Sequence, residues 1–209
     1  MTVVHLPADV ATAYTETKSK IQQRLRDFAA VPKSSWFYEF CFCLCTPQSK
    51  AEHAMIVVEG LTSRDFLTSE FDPVYLLADK RHYIRFHNVK ARRLLALRRQ
   101  WPTLVQAMDR LDNARQLREL LVDSVDGFGL KEASHVLRNI GYRDLAILDR
   151  HILRMLLYCG VLQECHKVST QSGYLQVETL ALDYSKNVGI PLDELDLLFW
   201  FMNTGKILK

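Results

Sequence analysis

The chain has 209 residues, enough to bury a sizeable core as one large or two small domains. Hydrophobic residues make up 48% and charged residues 24%, an ordinary balance for a globular protein in water; no run reaches the ~18 apolar residues of a membrane span, and no charged-then-apolar stretch reads as a signal peptide. A formal net charge of +3 is too mild by itself to establish a nucleic-acid partner, so the placement of the charges carries more information.

In chain order, Thr2–Pro7 reads as an irregular lead, and Asp9 is placed to cap a helix to about Phe28 whose inward set is Tyr14, Ile21, Leu25 and Phe28. Val31-Pro32-Lys33-Ser34 breaks it. Ser34 or Ser35 then caps Trp36–Leu44, which is apolar nearly all round and is expected as a buried helix rather than a strand. Cys41, Cys43 and Cys45 there read as small core hydrophobes. The five cysteines, odd in number and unevenly spaced, do not form a disulfide framework, so reduced thiols are expected.

Thr46-Pro47-Gln48-Ser49 ends that helix, and Ser49 is a cap candidate for Lys50–Glu59. Phe66–Asp79 reads as one short helix with connections, capped near Ser69 or Asp72-Pro73. Lys80–Arg99 carries eight Lys or Arg and no Asp or Glu, with Tyr83 and Phe86 interleaved. A charge run is usually a solvated helix face, but flat aromatic rings among the cations favour nucleic acid. Helix is expected from about Asn88 to Arg99, with a break at Trp101-Pro102, then from Leu104 to Leu121 with Asp112-Asn113 able to interrupt it. The acids gather elsewhere, at Asp109, Asp112, Glu119, Asp123 and Asp126 and again at Asp183, Asp193, Glu194 and Asp196.

The stretch Val122–Tyr142, VDSVDGFGLKEASHVLRNIGY, organises the chain. Gly127-Phe128-Gly129 allows a tight turn and a close approach to a ligand, and it opens directly into a helix with Leu130, Ala133, Val136, Leu137 and Ile140 on one face and Gly141 as its C-cap. Turn amides ahead of a helix N-terminus suit an anion such as a nucleic-acid phosphate. Lys131 stands on the first turn, where the helix dipole and partial desolvation disfavour an ammonium. Arg143-Asp144 is read as capping a helix over Leu145–Tyr158. Asp149 lies in it, between Ala146-Ile147-Leu148 and Ile152-Leu153, as a carboxylate in an apolar setting or as a cap. Val161–Thr170 is a connection, and helices over Gly173–Asn187 and Pro191–Met202 precede the terminal NTGKILK. Nothing demands a sheet, so the fold class is all-α, with two helical subdomains and the hairpin and Asp149 at a cleft between them.

GFGLK with Asp149 following resembles the helix-hairpin-helix DNA glycosylase superfamily, and the longer GFGLKEASHVLRNIGYRDLAILDRHIL is most similar to its compact, archaeal-type 8-oxoguanine DNA glycosylase/AP lyase family. Asp126 departs from the pattern, since the wider superfamily often has proline there. The resemblance implies one glycosylase unit over 1–209, with a basic DNA-facing subdomain near 30–110 and a second made of 1–29 plus 111–209. It implies Lys131 as the nucleophile that forms a Schiff base and Asp149 as the group supporting positive charge on the sugar. It further implies Gln48, Gly127, Phe128 and Gly129 as DNA contacts, and Phe86, Trp200 and Lys209 as the pocket for the flipped purine.

Many relatives hold an iron–sulfur cluster through four cysteines after the catalytic helix. Here only Cys159 and Cys165 follow Asp149, so no such cluster and no other cofactor is expected. The resemblance also implies an alkali cation at the carbonyls of Asp123, Val125 and Phe128. The expected partner is double-stranded DNA with a damaged purine and no membrane; the protein is expected as a monomer in the cytoplasm, at the nucleoid. Two other readings stay open: a non-catalytic helix-hairpin-helix module gripping DNA through phosphates, and a glycosylase for a different lesion.

Overall fold

The computed structural model describes residues 6–163 and 168–209, and no strand occurs among them. The helices are α1 (Ala8–Ala29), α2 (Trp36–Cys45), α3 (Ala51–Thr62), α4 (Val74–Leu77), α5 (His87–Met108), α6 (Ala114–Ser124), α7 (Leu130–Asn139), α8 (Arg150–Tyr158), α9 (Gln171–Val188) and α10 (Leu192–Thr204). They fall into two compact units, Val31–Val136 and Met1–Ala30 with Leu137–Lys209. The second boundary therefore lies inside α7 and not at 110/111. The reason is packing: Phe128 stacks on Phe40 at 5.7 Å, and Arg118 of α6 donates to Ser134 of α7 at 3.2 Å, so α6 and the hairpin stay with the helices before them.

Unit Val31–Val136 is built on α2. Phe37, Phe40, Cys41, Phe42, Cys43 and Cys45 are fully buried there, the environment its unbroken apolar composition demands. Each such side chain withdraws enough apolar surface to contribute roughly 1.5–3 kcal/mol for the larger residues. Trp101 packs edge-on to Phe37 and Phe40 at 5.3 and 5.0 Å. That anchor explains why the break expected at Trp101-Pro102 is absent. Pro102 sits inside α5, and burial of Trp101, Leu104 and Met108 offsets the backbone hydrogen bond that proline cannot donate. Asp112-Asn113 does interrupt, with the Asn113 side chain capping α6 through the N–H groups of Arg115 and Gln116.

In the other unit α1 packs along α10. Val10, Thr17, Ile21, Leu25 and Phe28 are its buried stripe, while Tyr14 is only half-buried because its hydroxyl donates to Glu194 at 2.6 Å. Pro7, not Asp9, precedes the first turn of α1, and Asp9 accepts from the Tyr158 hydroxyl. α7 closes as the glycine predicts: Gly141 has φ +99°, its N–H bonds to Arg138 O, and Tyr142 N–H reaches back to Leu137 O, a Schellman pair. A Cβ at 141 would also stand 3.0 Å from Ala29 Cα.

One expected helix start is moved. Residues 145–148 are buried but not helical, and α8 begins at Arg150. A buried run outside a helix must find partners for its backbone, and α9 supplies them. Ala146 N–H donates to Glu178, Leu148 N–H to the Tyr174 hydroxyl, and that hydroxyl donates to Ala146 O at 2.6 Å.

Candidate active site

In unit Val31–Val136 the hairpin closes as a four-residue turn in which Phe128 N–H donates to Val125 O at 3.0 Å. Gly127, with φ +94°, occupies its third position and Asp126 its second, the type II pattern. The backbone requires glycine here, and Arg93 packs over it. No L side chain adopts that φ readily, and a Cβ there would stand 2.7–2.8 Å from Cδ, Nε and Cζ of Arg93, which lies across the turn. Phe128 is buried against Phe40, so its ring belongs to the core and only its backbone is left for a ligand. Val125 O accepts the Phe128 N–H.

Lys131 lies on the first turn of α7, and its Nζ is 3.3 Å from Glu132 Oε1. The other oxygen of Glu132 accepts the Gly129 N–H at 3.2 Å, the capping-box reach from the third helical position back to the cap. Gly129 therefore gives its N–H to a carboxylate within the chain. Glu132 is a site residue the sequence reading passed over, although its spacing, three residues after Gly129, is the capping-box signal.

Gln48 occupies a second turn of the same kind. Ser49 N–H donates to Thr46 O at 2.9 Å, Pro47 stands at the second position, and Gln48 takes the third with φ +56°. A left-handed glutamine costs about 1–2 kcal/mol, which the surroundings must offset. They do so through Lys90, which in the sequence is one cation of a basic run with nothing to single it out. It is buried, and its ammonium donates to Cys45 O at 2.7 Å, Pro47 O at 2.6 Å and Ser49 Oγ at 3.3 Å. Burial pulls its pKa down to about 8. Ser49, expected as a cap for α3, instead accepts the Arg85 N–H at 3.0 Å. Phe86 follows with φ +60° as the residue before α5, 49% exposed, with the Arg85 guanidinium 4.9 Å from its ring centre.

In the other unit Asp149 is the N-cap of α8. Its Oδ1 accepts the N–H groups of His151 at 2.7 Å and Ile152 at 2.9 Å, so the lone pairs of Oδ2 stand outside the cap. Asp196, half-buried on α10, is pushed up to about 7 by desolvation, with Arg138, which it contacts, pulling it down and Asp149 adding to the rise. Trp200 is half-buried on α10, and the His151 ring meets it edge-on at 5.0 Å. Gly205, with φ +71°, ends α10, and Ile207, Leu208 and Lys209 beyond it are only partly exposed. Among the described residues no three His, Cys, Asp or Glu side chains gather as a metal's ligands, and Cys165 lies outside those residues. Nor, among them, is any helix long and apolar enough to cross a membrane.

The profile of a family described as 8-oxoguanine DNA glycosylase matches residues 21–190. An 8-oxoguanine DNA glycosylase/AP lyase of Korarchaeum cryptofilum is 37% identical over 190 residues, covering 90% of each chain. One from Fusobacterium nucleatum is 34% identical over 211 residues, covering 96% of each. The crystal structure of the Methanocaldococcus jannaschii 8-oxoguanine glycosylase/lyase in complex with 15mer DNA containing 8-oxoguanine matches with a TM-score of 0.85 at 32% identity, over 96% of this chain and 97% of that one.

Proposed function

The chain belongs to the 8-oxoguanine DNA glycosylase family, and on that footing we propose that it excises 8-oxoguanine from duplex DNA and then cleaves the strand at the abasic site. One observation carries the assignment of chemistry to residues: a lysine, Lys131, on the first helical turn directly after the four-residue hairpin turn. Breaking the bond between base and sugar inside a duplex requires the nucleotide to be flipped out. The neutral Lys131 amine then attacks C1′ as the base departs with the bonding electrons and takes up a proton, and Asp149 supports the positive charge that builds on the sugar. Ring opening gives a Schiff base, from which loss of a C2′ proton expels the 3′-phosphate and nicks the strand.

The Gly127 turn and the start of α7 grip backbone phosphate, Gln48 enters the stack vacated by the flipped nucleotide, and Phe86 and Trp200 offer flat faces to the purine. All the chemistry is assigned to the chain's own amine and carboxylate, in a monomer acting on DNA at the nucleoid with no cofactor.

Borohydride reduction in the presence of 8-oxoguanine duplex tests this reading, since it converts the Schiff base into a stable protein–DNA adduct. Wild type should trap, and Lys131→Gln should not while still binding duplex. An adduct with the mutant would assign the nucleophile elsewhere, and no adduct with wild type would leave a DNA-binding module.

A further inference from the structure

The hairpin turn has only half of the usual sequence for its geometry. A type II turn takes glycine at its third position and favours proline at its second, because the ring presets the φ needed there. Gly127 supplies the first requirement. Asp126 does not supply the second, and it adds a difficulty: a carboxylate 73% exposed at the tip of a turn meant for phosphate repels the ligand.

Arg93 answers both. It comes from α5, lies over Gly127 in the space a Cβ would fill, and brings Nη2 to 3.3 Å from Asp126 Oδ1. Its Nε is buried and makes no hydrogen bond, so the side chain is held by packing against the turn and by the Asp126 contact. An exposed pair of this kind is by itself worth little. Here it is joined to close packing on a glycine, and the two together restrain the backbone.

We propose that Arg93 is a positioning residue of the hairpin, bracing the Val125–Phe128 turn in place of the missing proline and neutralising Asp126 so that a phosphate can approach. The proposal rests on the reading that this hairpin grips DNA. It makes Arg93 and residue 126 interdependent: once position 126 is proline, neither the brace nor the neutralisation is needed.

The experiment measures duplex affinity, its salt dependence and thermal melting for wild type, Arg93→Met, Asp126→Pro and the double variant. Arg93→Met should weaken binding about fivefold, within the range of coupled neighbouring residues, and in the Asp126→Pro background the same change should cost less than about twofold. Asp126→Pro alone should bind at least as tightly as wild type and melt no lower. If the loss from Arg93→Met is the same in both backgrounds, with the salt slope reduced by about one, Arg93 is a direct phosphate contact and the proposal is overturned. Equal binding by Arg93→Met and wild type overturns it as well. If Arg93→Met does not fold, Asp126→Pro decides alone, and a melted or weakly binding Asp126→Pro overturns it. Gly127→Val separates the underlying reading: unchanged duplex affinity in that variant removes the hairpin from DNA binding, and the proposal with it.

Discussion

Glu132 holds Lys131 from the next residue along, with Oε1 3.3 Å from the lysine Nζ and Oε2 on the Gly129 N–H. The nucleophile candidate and the turn that precedes it are thus tied through one carboxylate. Glutamine and alanine separate its two duties. Glutamine can still reach back to the Gly129 N–H but carries no charge, so Glu132→Gln should melt close to wild type, whereas Glu132→Ala should lose about 0.5–2 kcal/mol with the cap. Both should slow single-turnover excision by about tenfold, because the amine loses its fixed position. Wild-type excision by Glu132→Gln would reduce Glu132 to a cap.

Asp149→Asn is informative because asparagine is as good an N-cap as aspartate. The bonds from His151 and Ile152 survive, α8 stays in place, and only the negative charge is lost. Removing a well-placed electrostatic stabiliser typically costs ~10²–10³ in rate, and base excision under single-turnover conditions should fall by that much. Melting temperature is the control. A mutant that folds and excises at the wild-type rate would leave Asp149 a purely structural residue.

Lys90 gives a pH dependence whose sign follows from its burial. Its folded-state pKa of about 8 lies below the ordinary lysine value of 10.5, so on raising the pH the folded chain releases this proton first. Between about pH 8 and 10.5 the unfolded chain then binds more protons, and the Lys90 contribution to stability rises with pH. Urea unfolding of wild type and Lys90→Met at pH 7.5 and 9.5 checks this: the difference between them should shift in favour of wild type at the higher pH. A difference independent of pH would mean the ammonium is not desolvated as its packing implies.

The chain end is expected to read the base. Lys209 is only partly exposed, and Ile207 and Leu208 before it are likewise partly covered. 8-Oxoguanine differs from guanine by an N7–H donor and a C8 carbonyl, and a site built to hydrogen-bond one group discriminates well against its absence. Deleting Lys209 should therefore lower 8-oxoguanine excision much more than strand cleavage at a pre-formed abasic site, which has no base to recognise. Equal losses on the two substrates would make the tail structural.

Where a single local rule governs, the sequence could be read directly. The apolar run Trp36–Cys45 is a buried helix, and Gly141 closes α7 as a C-cap. Reading failed where a distant partner overrides the local signal. Pro102 looks like a terminus until Trp101 is seen between Phe37 and Phe40, and Leu145–Leu148 looks helical until Tyr174 and Glu178 take up its backbone groups. At the candidate site, Lys131, Asp149 and the glycines stand out by type and spacing. Lys90 and Arg93 do not, because in sequence they are two cations in a basic run, and only their partners give them a role.

Those two residues are three apart on α5, roughly 4.5 Å along its axis at ~1.5 Å per residue. Each secures a type II turn that lacks one of its two signature residues: Lys90 the turn with glutamine where glycine is usual, Arg93 the turn with aspartate where proline is usual. One turn of one helix therefore ties down both turns, Lys90 through Pro47 O and Arg93 through Asp126 Oδ1, and a substitution that displaces α5 should disturb the two together.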